Sequence, residues 1–136
     1  MHSILRECMS GDYSSLDVVS KNENVSTEKL ARNILSGRCI VLRNDKRPYT
    51  PCAIGEDVSV KVNVNVGTSG ITCSPEMEIE KAKAAIENGA DAIMDLSTGG
   101  DIVSMRREIL KLDIPVGTVP IYEAVRRAGN VVDLDA

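Results

Sequence analysis

The stretch VSVKVNVNV, residues 58 to 66, alternates without a break: valine holds every even position, with Ser59, Lys61, Asn63 and Asn65 between. Successive side chains of an extended chain point to opposite faces, so a period of two makes a strand with one apolar and one polar side. A helix would scatter these valines around its surface. A parallel strand covered by helices on both faces would instead read as a continuous apolar run. The pattern therefore predicts a strand over 58–66 with helices on its valine side and something polar on the other.

Beyond this strand the chain keeps a regular order. In SPEMEIEKAKAAIENG, Ser74 is placed to cap a helix, Pro75 suits its first position, Ile79, Ala82 and Ile86 form a stripe, and Gly89 suits the stop. DAIMDLS reads as a strand. DIVSMRREILKL reads as a helix with Ile102, Met105, Ile109 and Leu112 on one face. IPVGTVPIY is a third strand ended by Pro120, and EAVRRAG begins another helix. The order βαβαβα implies parallel strands joined by crossovers, either in a doubly wound sheet or in part of a βα barrel. The polar side of the first strand favours the barrel, where it would face the lumen and chemistry would gather at the strands' C-terminal ends. A closed barrel needs eight such units and about 250 residues. The fold class expected is α/β: an N-terminal helical and short-strand segment, residues 1–57, followed by three parallel βα units, residues 58–136, that begin a (βα)8 barrel.

Upstream, VSTEKLARNILSG reads as a helix capped by Ser26, with Glu28 in its first turn, Leu30, Ala31, Ile34 and Leu35 on one face, and Gly37 as the stop. Residues 3–24 hold one or two short helices. CIVLRN resembles a short strand, and DKRPYTPCAIGED a surface connection broken by Pro48 and Pro51.

Composition narrows the function. The apolar fraction of 43% is nearly all aliphatic, with no Trp or Phe, as in a soluble α/β or helical protein. A net charge of -4 with interspersed signs offers no basic stripe, which argues against a nucleic-acid partner. No apolar run is long enough for a membrane span, and the start MHSILRECMSGD lacks a basic head and a long apolar stretch, so a cytoplasmic protein is expected. Cys8, Cys39, Cys52 and Cys73 show no C-x-x-C spacing and read as reduced, structural thiols.

The three strand ends, NVNVGTSG, MDLSTGG and GTVPIY, each combine polar groups with small residues. Gly67, Gly70, Gly99 and Gly100 would let a ligand approach the backbone, and the Ser and Thr hydroxyls could bond a phosphate or sugar. Well-formed βα turns would have the same composition, and the residues alone leave both readings open.

KVNVNVGTSG, AIMDLSTGGD and PVGTVPIYEA, in this order and at these separations, resemble the successive barrel-strand motifs of the phosphomethylpyrimidine synthase family, which makes the pyrimidine half of thiamin. VSTEKLARNILSGRCIV resembles the segment preceding that family's barrel, so the likeness spans nearly the whole chain. It implies a βα barrel that converts 5-aminoimidazole ribotide to 4-amino-5-hydroxymethyl-2-methylpyrimidine phosphate by radical rearrangement. The implied cofactors are S-adenosylmethionine, a 4Fe-4S cluster and a divalent metal, zinc. The family's substrate-contact positions fall here on Asn65, Met94 and Tyr122. Each has a plainer reading: an exposed strand residue, core filling and a packing cap. Asp95 and Ser97 have the opposite parity to Met94. Which set lines a lumen is open at this level.

The family's cluster motif, C-x-x-C-x4-C, has no counterpart in this chain, and its metal-binding histidines have none either, the single histidine being His2. The expectation is an N-terminal fragment or truncated relative, with no catalytic residue of its own, no bound cofactor, and no activity alone. A three-stranded parallel sheet leaves edges and a face uncovered, so self-association into a homo-oligomer is expected. Two alternatives stand beside this: a benzimidazole synthase that resembles the family and uses the same ribotide, and a non-catalytic binding or assembly module.

Overall fold

The computed structural model describes residues 3–71 and 74–133. His2 and Cys73 lie outside the described residues. The chain divides into two units, Met1–Lys61 and Val62–Ala136.

The first unit runs through helices α1 (Ser3–Ser10), α2 (Asp17–Glu23) and α3 (Thr27–Leu35), with a short 3-10 turn at Ser14–Leu16 between the first two. Helix α3 starts where its cap predicts, the Ser26 hydroxyl accepting the Lys29 N–H at 3.3 Å. Leu30, Ala31 and Ile34 turn inward onto Ile4, Cys8, Leu16 and Val19, whereas Leu35, expected on the same face, is exposed. Strands β1 (Cys39–Leu42) and β2 (Cys52–Gly55) form an antiparallel pair. The second is a correction, because CAIG reads in sequence as part of a surface connection. Pairing decides it: Ala53 lies opposite Val41 and is wholly buried in the unit's core. The breakers Pro48 and Pro51 stay in the connection before the strand.

The second unit has the predicted alternation: β3 (Asn63–Val66), α4 (Pro75–Glu87), β4 (Ala92–Asp95), α5 (Ile102–Ile109), β5 (Val116–Thr118) and α6 (Pro120–Ala128), then a 3-10 turn at Val131–Asp133. The three strands form a parallel sheet in the order β3-β4-β5. One face packs Val66 and Ile93 against Ala82 of α4 and Met105 and Ile109 of α5, with Ile114 completing the cluster and Ile79, Ile86 and Leu112 at its margin. Burying each such Ile fully is worth about 1.5–3 kcal/mol, so this face holds the unit together.

All four predicted strands are shorter than their patterns, two of them by half or more. The one over 58–66 yields only 63–66, because Ser59 and Lys61 bond to the end of α2 instead of to a neighbouring strand. The Ser59 N–H and hydroxyl both donate to Glu23 Oε2, at 2.8 and 2.9 Å, and Lys61 Nζ pairs with Glu23 Oε1 at 2.9 Å. Val60 between them faces solvent, at 93% exposure, and Val62, bonded to Asp91 and Ala92 at the start of β4, is 53% exposed. The other, expected to run to Pro120, ends at Thr118. Pro120 opens α6, since its fixed φ and missing N–H suit a first helical position. Tyr122 is therefore a helical residue, its N–H donating to the Val119 carbonyl at 3.1 Å.

Candidate functional site

Asn65, Met94 and Gly117 are register partners across the three strands. Paired residues of a parallel sheet project to the same side, so these three share the face opposite the helix-packed core. Asn63 joins them, its amide donating to Asn65 Oδ1 at 3.1 Å. Asn65 is exposed and Met94 half-buried. A Cβ placed on Gly117 would meet Met94 Cε at 2.8 Å and Sδ at 3.0 Å, so the glycine is what lets the thioether lie flat across β5. The sequence gives no hint of Gly117's part in this, since its partner is 23 positions away along the chain.

The opposite parity expected of Met94 and of Asp95 with Ser97 is observed. Ile93, Asp95 and Ser97 are buried on the side away from Met94. Asp95 Oδ1 accepts from the Ser97 N–H at 3.0 Å and from its hydroxyl at 2.6 Å, so this carboxylate holds the loop that follows β4.

The loops after β3 and β4 are locked to each other. The Thr68 N–H donates to Ser97 Oγ at 3.1 Å, the Thr68 hydroxyl to the Gly99 carbonyl at 2.7 Å, and the Thr98 N–H to the Thr68 carbonyl at 2.8 Å. Gly67 and Gly99 permit the contact: a Cβ on either would stand 2.5 Å from Ser97 N or 2.4 Å from the Ser69 carbonyl carbon. The close backbone approach that these glycines predict is made to a neighbouring loop, and the Thr68 and Ser97 hydroxyls are buried in that contact instead of offered to a phosphate or sugar. Sequence reasoning missed Glu78 as well. It reads as an ordinary first-turn acid, yet it is buried and accepts the Gly67 N–H at 2.8 Å while pairing with Lys81 at 2.5 Å. Burial opposes its ionised form, but the Gly67 N–H and Lys81 prevail and hold its carboxyl below the usual range.

Tyr122 lies apart from this strand face. It lines a groove of about 480 Å3 with Thr98, Ile121, Val125 and Arg126. Helix α6 is tied to α5 by Glu123, which pairs with Arg106 and also with Arg127 of its own helix. The structure thus brings Asn65 and Met94 side by side, and places Tyr122 on a helix that meets the sheet ends in this groove through Thr98, from the loop after β4.

The cluster and metal implied by the resemblance do not fit the described residues. Cys8 and Cys39 are buried in the first unit, where burial, reinforced by the charges of Glu7 and Glu23 respectively, pushes both thiols up and away from the thiolate that iron or zinc binds. Among the described residues, no three His, Cys, Asp or Glu side chains gather into a metal-holding group. No described helix is long and apolar enough to cross a membrane.

The sequence profile of a family described as "Radical SAM ThiC family" matches residues 4–136. Among curated proteins, the chain is 46% identical over 140 residues to the phosphomethylpyrimidine synthase of Methanopyrus kandleri, covering 98% of this chain and 33% of that protein. It is 43% identical to phosphomethylpyrimidine synthase 2 of Methanothermobacter thermautotrophicus, covering 96% of this chain and 32% of the relative. With the phosphomethylpyrimidine synthase of Pyrococcus furiosus it shares 50% identity over 108 residues, 78% of this chain and 25% of the other. The chain spans about a third or less of the length of these relatives.

Proposed function

Since the chain belongs to the Radical SAM ThiC family, we propose that it is part of a phosphomethylpyrimidine synthase that turns 5-aminoimidazole ribotide into the hydroxymethylpyrimidine phosphate of thiamin. The observation that supports this most directly is the pairing of Asn65 with Met94 on the sheet face turned away from the helices. In this reading the three strands are the first of a (βα)8 barrel, and that face becomes part of the lumen once the remaining strands close it.

This chain's own residues bind and orient. The Asn65 amide, with Asn63 on its oxygen, presents its NH2 as a donor to the imidazole or ribose. The Met94 thioether, lying across Gly117, offers a polarisable surface to the ring. Tyr122 contributes an aromatic face and a hydroxyl from the start of α6. In the family the radical is supplied by a 4Fe-4S cluster with S-adenosylmethionine, and zinc is a further metal. No three His, Cys, Asp or Glu side chains gather among the described residues, so in this reading the cluster and metal would be held by other residues of the complete enzyme, and this portion would be inactive alone.

The test uses the complete polypeptide that carries these residues, assayed anaerobically with the ribotide, S-adenosylmethionine and a reductant. The pyrimidine phosphate is the expected product. A benzimidazole product would transfer the assignment to the paralogous synthase, and no turnover by a reading frame lacking C-x-x-C-x4-C would favour the assembly module. Asn65→Ala is expected to raise KM about tenfold, the loss of one hydrogen bond to the ribotide, and Tyr122→Phe several-fold. Wild-type KM in both variants would remove these residues from the site.

A further inference from the structure

We infer that Thr68, Asp95 and Ser97 are positioning residues that hold β3 and β4 in the phase placing Asn65 beside Met94; this rests on the proposed ribotide site. The two strands are only four residues long and pair Asn63 with Ala92, Val64 with Ile93, Asn65 with Met94 and Val66 with Asp95. The buried face forbids a one-residue slip, which would turn Val64 and Val66 away from the core. A slip of two residues preserves every facing. It keeps the valines inward but sets Asn65 beside Ala92 or Leu96, and the site would lose its pairing while much of the core stayed apolar. Hydrophobic patterning therefore does not select between these phases.

The loops do. Immediately past the last paired residues, Thr68 makes four bonds to the segment 97–99: its N–H donates to Ser97 Oγ at 3.1 Å, its hydroxyl to the Gly99 carbonyl at 2.7 Å, and its carbonyl accepts the Thr98 and Gly99 N–H groups at 2.8 and 3.3 Å. Ser97 can receive the Thr68 N–H in this way because its own hydroxyl proton is directed to Asp95 Oδ1 at 2.6 Å. All three side chains are buried, at 2–3% exposure, so no water replaces a lost partner. A two-residue shift would break all four Thr68 bonds at once and drive the backbone at Gly67 and Gly99 out of its close seat.

The experiment is steady-state kinetics of the complete polypeptide with the ribotide, comparing Thr68→Val, Ser97→Ala, Thr68→Ser and Asn65→Ala, with circular dichroism to check folding. Thr68→Val and Ser97→Ala are expected to raise KM for the ribotide about tenfold with kcat changed less than about twofold, and Thr68→Ser to restore the wild-type KM. If Asn65→Ala raises KM while Thr68→Val and Ser97→Ala leave it unchanged, the positioning role is overturned and the site stands. Should Asn65→Ala itself have no effect, the site reading fails and this inference with it. Should neither Thr68→Val nor Ser97→Ala fold, the three residues serve folding alone and the inference is likewise overturned.

Discussion

Glu78 shows how a residue's sequence context and its structural part can differ. A glutamate four positions past the Ser74 cap is ordinary for a first turn, where it favours the helix dipole. Its burial against Gly67 makes it a pH-sensitive element. Burial works against the charge, the Gly67 N–H and Lys81 outweigh it, and the folded-state pKa lies below the ordinary 4.5. A depressed carboxylate contributes stability that is fully present above the unfolded value and is lost as pH falls through the folded one. Urea unfolding should therefore show stability that declines from about pH 4.5 downward, more steeply in the wild type than in Glu78→Gln. Parallel curves for the two proteins would exclude this role. Caps, by contrast, are legible residue by residue: Ser26 and Ser74 each stand where the pattern places them, because a cap bonds only within its own turn.

At the scale of elements, short-range periodicity located the helices from α3 onward but overran the strands. The valine alternation of 58–66 is real, yet Lys61, which it places on the strand's polar side, has left the sheet for Glu23. Both side chains of that pair are more than nine-tenths buried, so removing one partner strands the other's charge. Lys61→Met is expected to destabilise the chain by about 3 kcal/mol in chemical denaturation, and the double variant Glu23→Leu/Lys61→Met to recover most of that loss. A single variant as stable as the double would mean that the pair is not buried in solution. CAIG was unreadable for a related reason: four residues after a proline carry little local signal, and their strand exists through pairing with β1.

Over the whole molecule, the parallel sheet ends at β3 and β5, among the described residues, with no further strand on either side. Helix α6 buries no residue, leaving Ile121 and Tyr122 about half and two-fifths exposed, and Val131 and Val132 just beyond it more so. Such edges and apolar surface favour association. The 136-residue chain, studied by sedimentation across micromolar concentrations, is expected to run heavier than its 14.7 kDa monomer. A concentration-independent monomer would contradict this expectation.

The sequence by itself determined the alternation of strands and helices in the second unit and the parallel character of its sheet, since these follow from local periodicity and capping within a few turns of chain, and the resemblance of its strand motifs pointed to the family. It also named Asn65 and Met94 as candidates, through motifs 29 positions apart. Only the tertiary structure decided that those two share a face with Gly117, that Asp95 and Ser97 turn the other way, and that the Thr68 and Ser97 hydroxyls are spent on the Gly99 carbonyl and the Asp95 carboxylate. The reason is physical: hydrogen bonds and close backbone contacts between loops some thirty residues apart depend on strand phase, and alternating hydrophobicity is the same for every phase that differs by two.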